Sequence, residues 1–232
     1  MDIDQDNYAL LAAAYVRGKL CSTLAGEQPE LFAPDLAELS EDEIRQLLAL
    51  AHRHELRLHR FKRTMELPRV HKVLGILRGL QPASLLDIGT GRGVFLWPLL
   101  DAFPALPVTC VDRLEYRVAD LLAVRAGGLE RLEAVHADVT ALPFAENSFD
   151  VVTMLEVLEH IPDTRRALAE VCRVAQRFVI LSVPSKADDN PEHIHLFNQE
   201  QLRALLEEQG MSRVSFDYVL NHMIVIARIA DR

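Results

Sequence analysis

The residues best suited to chemistry begin with Leu85-Leu86-Asp87-Ile88-Gly89-Thr90-Gly91-Arg92-Gly93, an apolar run that passes through an acid into a glycine-rich turn. Glycine suits such a turn because the backbone there takes positive φ and lies close to a ligand with no Cβ in the way. A helix opening behind the turn adds free N–H groups. The spacing is Gly-x-Gly-x-Gly, distinct from the Gly-x-Gly-x-x-Gly of dinucleotide sites. Gly89, Thr90, Gly91 and Gly93 are therefore candidate ligand-binding positions, and Asp87 is placed to face a cationic amino group. Asp112, followed by Arg113, closes the next apolar run, where a carboxylate can accept from both hydroxyls of a ribose. Asp138, followed by Val139, comes after a third run and can accept from an adenine amino group. Three acids at successive strand ends fall on the edge where open α/β sheets bind ligands.

A second constellation is Glu156-x-x-Glu159-His160, with positions i, i+3 and i+4 that one helical turn would present on a single face. Two carboxylates and an imidazole could hold a divalent ion such as Mg²⁺ or Mn²⁺, which would lower the pKa of a bound hydroxyl. Without metal, His160 and the later His195 are candidate general bases. His195 ends a polar loop, Asp188 to His195, at the same edge.

These groups need elements to hold them. Helical periodicity spans Asn7 to Leu24, Ser40 to Met65 and Pro68 to Leu80, with Ser40 and Glu43 forming a capping-box pattern and Gln28 to Asp35 separating the first two helices. From residue 82 short apolar runs alternate with helices. Strands are expected at Ser84–Ile88, Val108–Val111, Leu132–His136, Asp150–Met154 and Phe178–Val183, with helices starting near Val94, Leu114 and Asp163. Such alternation means right-handed crossovers and a mostly parallel sheet. After a helix over Gln199–Gln209, capped by Asn198, the runs Val214–Leu220 and Met223–Ile229 are joined only by Asn221 and His222. They must form an antiparallel hairpin.

The chain has 232 residues, half of them apolar, enough for one sizeable core. A net charge of −9 opposes non-specific nucleic-acid or membrane binding by the whole surface. The segment His52 to Arg63 is the local exception, with five Lys/Arg against one acid; it is a lid candidate that could attract an anionic acceptor, RNA included. Leu47, Leu50, His54, Leu58, Phe61 and Met65 also give it an apolar stripe that would pack on the domain. The early apolar run Tyr8 to Val16 is too short to span a bilayer. Cys21, Cys110 and Cys172 are too scattered for a disulfide framework or a zinc site, so the cytoplasm is the default compartment.

Residues 66–229 resemble the class I S-adenosylmethionine-dependent methyltransferases. The resemblance rests on Leu85–Gly93, Val111-Asp112, Ala137-Asp138-Val139, Leu142-Pro143-Phe144, Ser148–Val152, Leu155–His160, His195-Leu196-Phe197 and the reversed terminal hairpin. It implies a Rossmann-like α/β fold with a seven-stranded, mostly parallel sheet (residues 66–232) and a helical amino-terminal cap (residues 1–65). It also implies S-adenosylmethionine across the strand ends, Leu155 near its adenosine end and Arg69 meeting its carboxylate. The Asn-Pro-Pro-Tyr signature of amino-methylating nucleic-acid enzymes is absent after the fourth strand. A small-molecule oxygen is the leading acceptor. The Glu156, Glu159, His160 cluster resembles that of small-RNA 2′-O-methyltransferases, in which a later His completes a metal site; His195 would be that ligand. A nicotinamide-dependent oxidoreductase and a non-catalytic methyltransferase-like binding protein are the rival readings.

Overall fold

The computed structural model describes residues 8–63 and 67–230. Seven strands form one sheet in the order β3-β2-β1-β4-β5-β7-β6. They are β1 Leu85–Ile88, β2 Val108–Asp112, β3 Leu132–His136, β4 Phe149–Leu155, β5 Ala175–Pro184, β6 Met211–Val219 and β7 His222–Ile229. The first five run parallel, and β7 is antiparallel to both β5 and β6. β1 and β4 are buried almost throughout, as central parallel strands covered on both faces must be.

The helices are α1 Ala9–Leu24, α2 Pro29–Phe32, α3 Glu41–Arg53, α4 Pro68–Leu80, α5 Leu96–Ala102, α6 Glu115–Ala126, α7 Thr164–Val174 and α8 Gln199–Glu208. One apolar cluster joins Leu85, Val108, Cys110, Val151 and Ile180 of the sheet to α1, α3, α4, α5 and α6. A second joins Leu86, Val111, Val152 and Leu181 to α7 and α8 on the opposite face. The alternation Leu85/Leu86 shows the period of two that sends successive side chains to opposite layers.

Both expected caps form. Ser40 Oγ accepts the Glu43 N–H at 3.3 Å while Glu43 Oε2 accepts the Ser40 N–H at 2.7 Å. Asn198 Oδ1 accepts the Gln201 N–H at 2.9 Å, and Gln201 answers the Asn198 N–H at 3.0 Å.

Several boundaries differ from the sequence expectation; β5 and β6, for instance, begin three residues early, at Ala175 and Met211. The helix expected over Ser40 to Met65 ends at Arg53. Glu55 takes φ +56°, and a short 3₁₀ turn at His59–Phe61 follows. Leu47, Leu50 and Phe61 are buried but His54 is exposed, so the stripe is split between two elements; Asn7 and Met65 lie outside the described residues. Gln28 to Asp35 contains the single-turn helix α2, opened by Pro29. The hairpin turns through Leu220 and Asn221, because His222 pairs with Val219 and Leu220 takes φ +53°.

Candidate active site

The carboxyl ends of β1, β2, β3 and β4 surround a cleft of about 410 Å³. Of the residues singled out in the sequence, Gly89, Asp112, Arg113, Asp138, Val139, Glu156 and His160 line it. Val157 of the Leu155–His160 run and Glu192 of the loop after β5 also line it, together with Arg117 and Ile161, which were not anticipated.

Asp112 is 3 % exposed at the end of β2. Its Oδ2 accepts the Gly91 N–H and its Oδ1 the Leu114 N–H, both at 2.9 Å. One carboxylate thus ties the glycine turn to the start of α6. A carboxylate has about four lone-pair positions, so Oδ1 keeps one for a further donor, while Oδ2 accepts from both Gly91 and Arg117. Arg117 Nη1 stands 3.4 Å from Oδ2. It was missed because its role follows from where the first turn of α6 aims it, which spacing alone did not show.

The three loop glycines have different tasks. Gly89, Gly91 and Gly93 all take positive φ, at +71°, +62° and +83°. A Cβ on Gly93 would lie 2.2 Å from the Trp97 ring, whose Nε1–H is donated to the Arg92 carbonyl at 3.0 Å. A Cβ on Gly89 would meet Val157 at 2.4 Å. On Gly91 it would meet nothing closer than Arg117 Nη1 at 3.6 Å. Gly91 is therefore the open position of the turn and Gly93 a packing position; Thr90, Gly91 and Gly93 do not themselves line the cleft. Gly91→Val should abolish S-adenosylmethionine binding by calorimetry while lowering the melting temperature modestly. Gly93→Ala should cost far more stability by thermal unfolding, because a rigid ring stands in the way.

Asp87 is buried beneath the turn and does not line the cleft. Burial pushes its carboxyl up to about 7, opposed by hydrogen bonds from Thr153 and Thr90. Thr153 Oγ1 donates to Asp87 Oδ1 at 2.8 Å. Thr90 is buried beside it, and its hydroxyl donates to the Asp87 carbonyl at 3.2 Å. Asp138 is exposed, with its Oδ1 accepting from the Thr140 N–H (2.8 Å) and Oγ1 (2.6 Å), which hold its carboxyl below the usual range. Leu155 packs toward the core rather than the cleft; its successors Glu156 and Val157 occupy the wall.

The acidic constellation is rearranged. Leu158–His160 is a 3₁₀ turn, and Glu156 precedes it at φ +57°, so the three side chains do not share a face. Glu156 Oε1 accepts from Ser182 Oγ at 2.7 Å, and its Oε2 lies 2.9 Å from His222 Nδ1, off the line of a hydrogen bond. A non-glycine residue held in the left-handed region costs energy, and such residues concentrate at functional sites. Glu159 is fully buried and neither carboxylate oxygen has a hydrogen-bond partner among the described residues. Burial pushes its carboxyl up to about 8, with the Glu156 charge adding to the rise. His195 turns away, its Nε2 within 3.0 Å of the Ile161 carbonyl, and His193 takes the place expected for it. Ligand atoms of Glu159, His160 and His193 lie within 4.8 Å of one another. The cause is the loop after β5: the Glu159 carbonyl accepts the N–H groups of Ile194 (3.0 Å) and His195 (3.2 Å), which fixes the loop's direction. Arg69, at the start of α4, sits outside the cleft with Nη1 3.4 Å from His222 Nε2.

The basic segment does not line this cleft. Arg60 pairs with Asp120 of α6, and Arg63 with Asp101 of α5 at 2.9 Å. No helix among the described residues is long and apolar enough to cross a membrane.

The sheet order, the glycine turn and the Asp112 clamp define an open α/β domain with a cleft at its strand ends, and comparison with known proteins shows what it is similar to. Residues 86–181 match the family described as a methyltransferase domain. A malonyl-[acyl-carrier protein] O-methyltransferase of Geobacter sulfurreducens is 30 % identical over 178 residues, 66 % of this chain and 63 % of that protein. A demethylmenaquinone methyltransferase of Staphylococcus aureus is 35 % identical over 107 residues, 46 % of this chain and 43 % of that one. The chain thus spans less than two-thirds of the length of these curated relatives. A crystal structure of an S-adenosylmethionine-dependent methyltransferase from Aquifex aeolicus shares the fold, with TM-score 0.59 and 24 % identity over 69 % of this chain and 89 % of that one. The chain thus carries a segment similar to methyltransferase domains within a fold that it shares with S-adenosylmethionine-dependent methyltransferases of known structure.

Proposed function

We propose that the protein transfers a methyl group from S-adenosylmethionine to an oxygen of a small molecule. The observation that carries this is Asp112, buried at the end of β2 and clamping Gly91 while facing the cleft. The donor set fits the cofactor: Asp112 for the ribose hydroxyls, the open turn at Gly91 for close backbone approach and Asp138 at the adenine end. When bound, S-adenosylmethionine supplies an electrophilic methyl on a cationic sulfur. The chain's own part is to hold donor and acceptor in line, which can supply most of the rate, and to take up a proton from the acceptor. His160, in the cleft wall with Nδ1 2.9 Å from the Glu192 carbonyl, keeps Nε2 available for that proton.

A small acceptor is favoured over RNA because Arg60 and Arg63 are engaged with Asp120 and Asp101. The names of the relatives, a malonyl-carrier O-methyltransferase and a demethylmenaquinone methyltransferase, lean the same way. The three cysteines are free, in keeping with a reducing cytoplasm. Calorimetric titration with S-adenosylhomocysteine and with NAD tests the cofactor: micromolar or tighter binding of the first and none of the second is expected. The reverse would make the protein an oxidoreductase, and binding of neither a non-catalytic relative.

A second reading is favoured by one observation, the unpartnered buried carboxylate of Glu159 beside His160 and His193. These three would hold a divalent ion, Mn²⁺ or a softer one given two imidazoles, with Mg²⁺ less suited. A metal there would satisfy Glu159 and polarise an acceptor oxygen. Titration with Mn²⁺ and Zn²⁺ should then raise the melting temperature of the wild type and leave His193→Ala unmoved. No shift with either ion rejects the metal.

A further inference from the structure

Beyond Glu156 the sheet edge changes character. Among the described residues, four of the seven exposed large apolar side chains fall on two segments there: Ile194 and Leu196, each 52 % exposed, and Tyr218 and Leu220, at 50 % and 76 %. The first pair lies on the loop after β5 and the second at the β6–β7 turn. Strand register brings them to one edge, because His222 pairs with Pro184, the last residue of β5, and with Val219, the last of β6. The segments are also tied together. The Ser185 N–H is donated to the Asn221 carbonyl at 2.8 Å, and Gln199 Nε2 to Tyr218 Oη at 3.1 Å. Clustered exposed apolar side chains on a folded chain mark a binding surface, whereas scattered ones need no explanation.

Next to this surface stands Arg69. α4 runs back toward the start of β1, so its first turn lies at the carboxyl edge. Lys72, one turn further on, is paired with Asp217. Arg69 has no carboxylate within ion-pair distance among the described residues; its contact is His222 Nε2 at 3.4 Å. The neighbouring acid, Glu156, is turned to Ser182 and His222. A half-buried guanidinium beside an imidazole, within range of the Glu159 charge but in no direct ion pair among the described residues, can receive a planar anion. Glu156 lines the cofactor cleft on one side and reaches His222 on the other. It stands between that cleft and the Arg69–His222 pair.

Resting on the methyltransferase reading, we propose that the acceptor is an amphiphilic carboxylic acid. Its carboxylate is held by Arg69 and His222, and its apolar body lies along Ile194, Leu196, Tyr218 and Leu220. Charge complementarity at one end and exposed apolar surface at the other select this occupant over a neutral molecule or a nucleic acid.

The test uses octanoate, 1-octanol and acetate as probes, titrated into the full chain with and without saturating S-adenosylhomocysteine. Octanoate should bind at least tenfold more tightly than either of the others, since only it has both head and tail. Arg69→Gln should reduce octanoate to the level of octanol. Leu220→Asp should weaken octanoate and octanol together, at least fivefold, with the affinity for S-adenosylhomocysteine retained as the sign of an intact fold. Equal binding of octanoate and octanol to the wild type, or octanoate binding untouched by Arg69→Gln, overturns the assignment. So does binding to phosphatidylcholine vesicles or a concentration-dependent dimer that Leu220→Asp abolishes, either of which would give the apolar surface another occupant. If S-adenosylhomocysteine does not bind, the methyltransferase reading falls, while the three probes on the free protein still decide this one.

Discussion

Asp112→Ala should weaken S-adenosylhomocysteine binding a hundredfold or more, the largest loss of cofactor affinity expected from any single truncation in the cleft. Two effects combine. The carboxylate that would accept from the ribose hydroxyls disappears, and a pair of hydrogen bonds to a charged group corresponds to about 3 kcal/mol, or about two orders of magnitude in Kd. The same carboxylate also holds the Gly91 and Leu114 N–H groups at 2.9 Å, so its removal frees the glycine turn from α6. Binding must then reorder that turn, which weakens affinity further. Asp112→Asn separates the two effects. The amide can keep one backbone acceptor contact but presents an NH₂ where the other N–H points, so its affinity should fall between those of wild type and alanine. Calorimetry well below the melting temperature reads both. Wild-type affinity in Asp112→Ala, with unfolding still cooperative, would remove Asp112 from the site.

The parts of this architecture with strong local codes were legible in the sequence. α4 starts and stops at the expected Pro68 and Leu80, and β3 occupies Leu132–His136 as expected. The capping residues Ser40 and Asn198 each open their helix. The cleft was legible in part for a similar reason: Asp112 and Asp138 follow successive parallel strands and fall on one edge, whereas Asp87 is buried beneath it. What failed depended on backbone direction. The heptad-like stripe from Leu47 to Met65 suggested one helix, but a positive φ at Glu55 ends it and tertiary packing recovers Phe61 from a separate turn. The same kind of residue undid the metal quartet. Glu156 at φ +57° swings its carboxylate to Ser182 and His222, and the pinning of Ile194 and His195 on the Glu159 carbonyl delivers His193 instead of His195. Periodicity assumes regular backbone, so a single left-handed residue invalidates the face it assigns. Arg117 and His222 were missed because their roles arise from contacts across elements, with no motif of their own.

Gly127→Ala should be among the most destabilising small substitutions in the chain, and it lies far from any chemistry. A Cβ on Gly127 would sit 1.8 Å from the Ala14 carbonyl oxygen, and one on Gly18 would sit 1.9 Å from that of Ala123. Residue 14 thus meets 127 and residue 18 meets 123, so α1 and α6 cross antiparallel with backbone against backbone. Only glycine permits that approach. The obstacle in both cases is main chain, which cannot rotate away as a side chain can, so the helices must separate. Separation loosens α1 along Ala13, Val16 and Leu20 and stretches the polar contacts of Asp120 with Tyr15 (3.3 Å) and Lys19 (3.0 Å). Overpacking of this kind costs about 3 kcal/mol, or about 6–12 °C in Tm for a chain of this size. Gly18→Ala should act alike. Gly75→Ala is the contrast: a Cβ there meets nothing within 4 Å, inside α4, so it should stabilise by about 0.5–1 kcal/mol through helix propensity alone. Thermal and urea unfolding measure all three, and S-adenosylhomocysteine affinity at 20 °C should be the same in each, since none borders the cleft. A Gly127→Ala variant that melts within a degree of the wild type would mean that α1 does not rest on α6 at this separation.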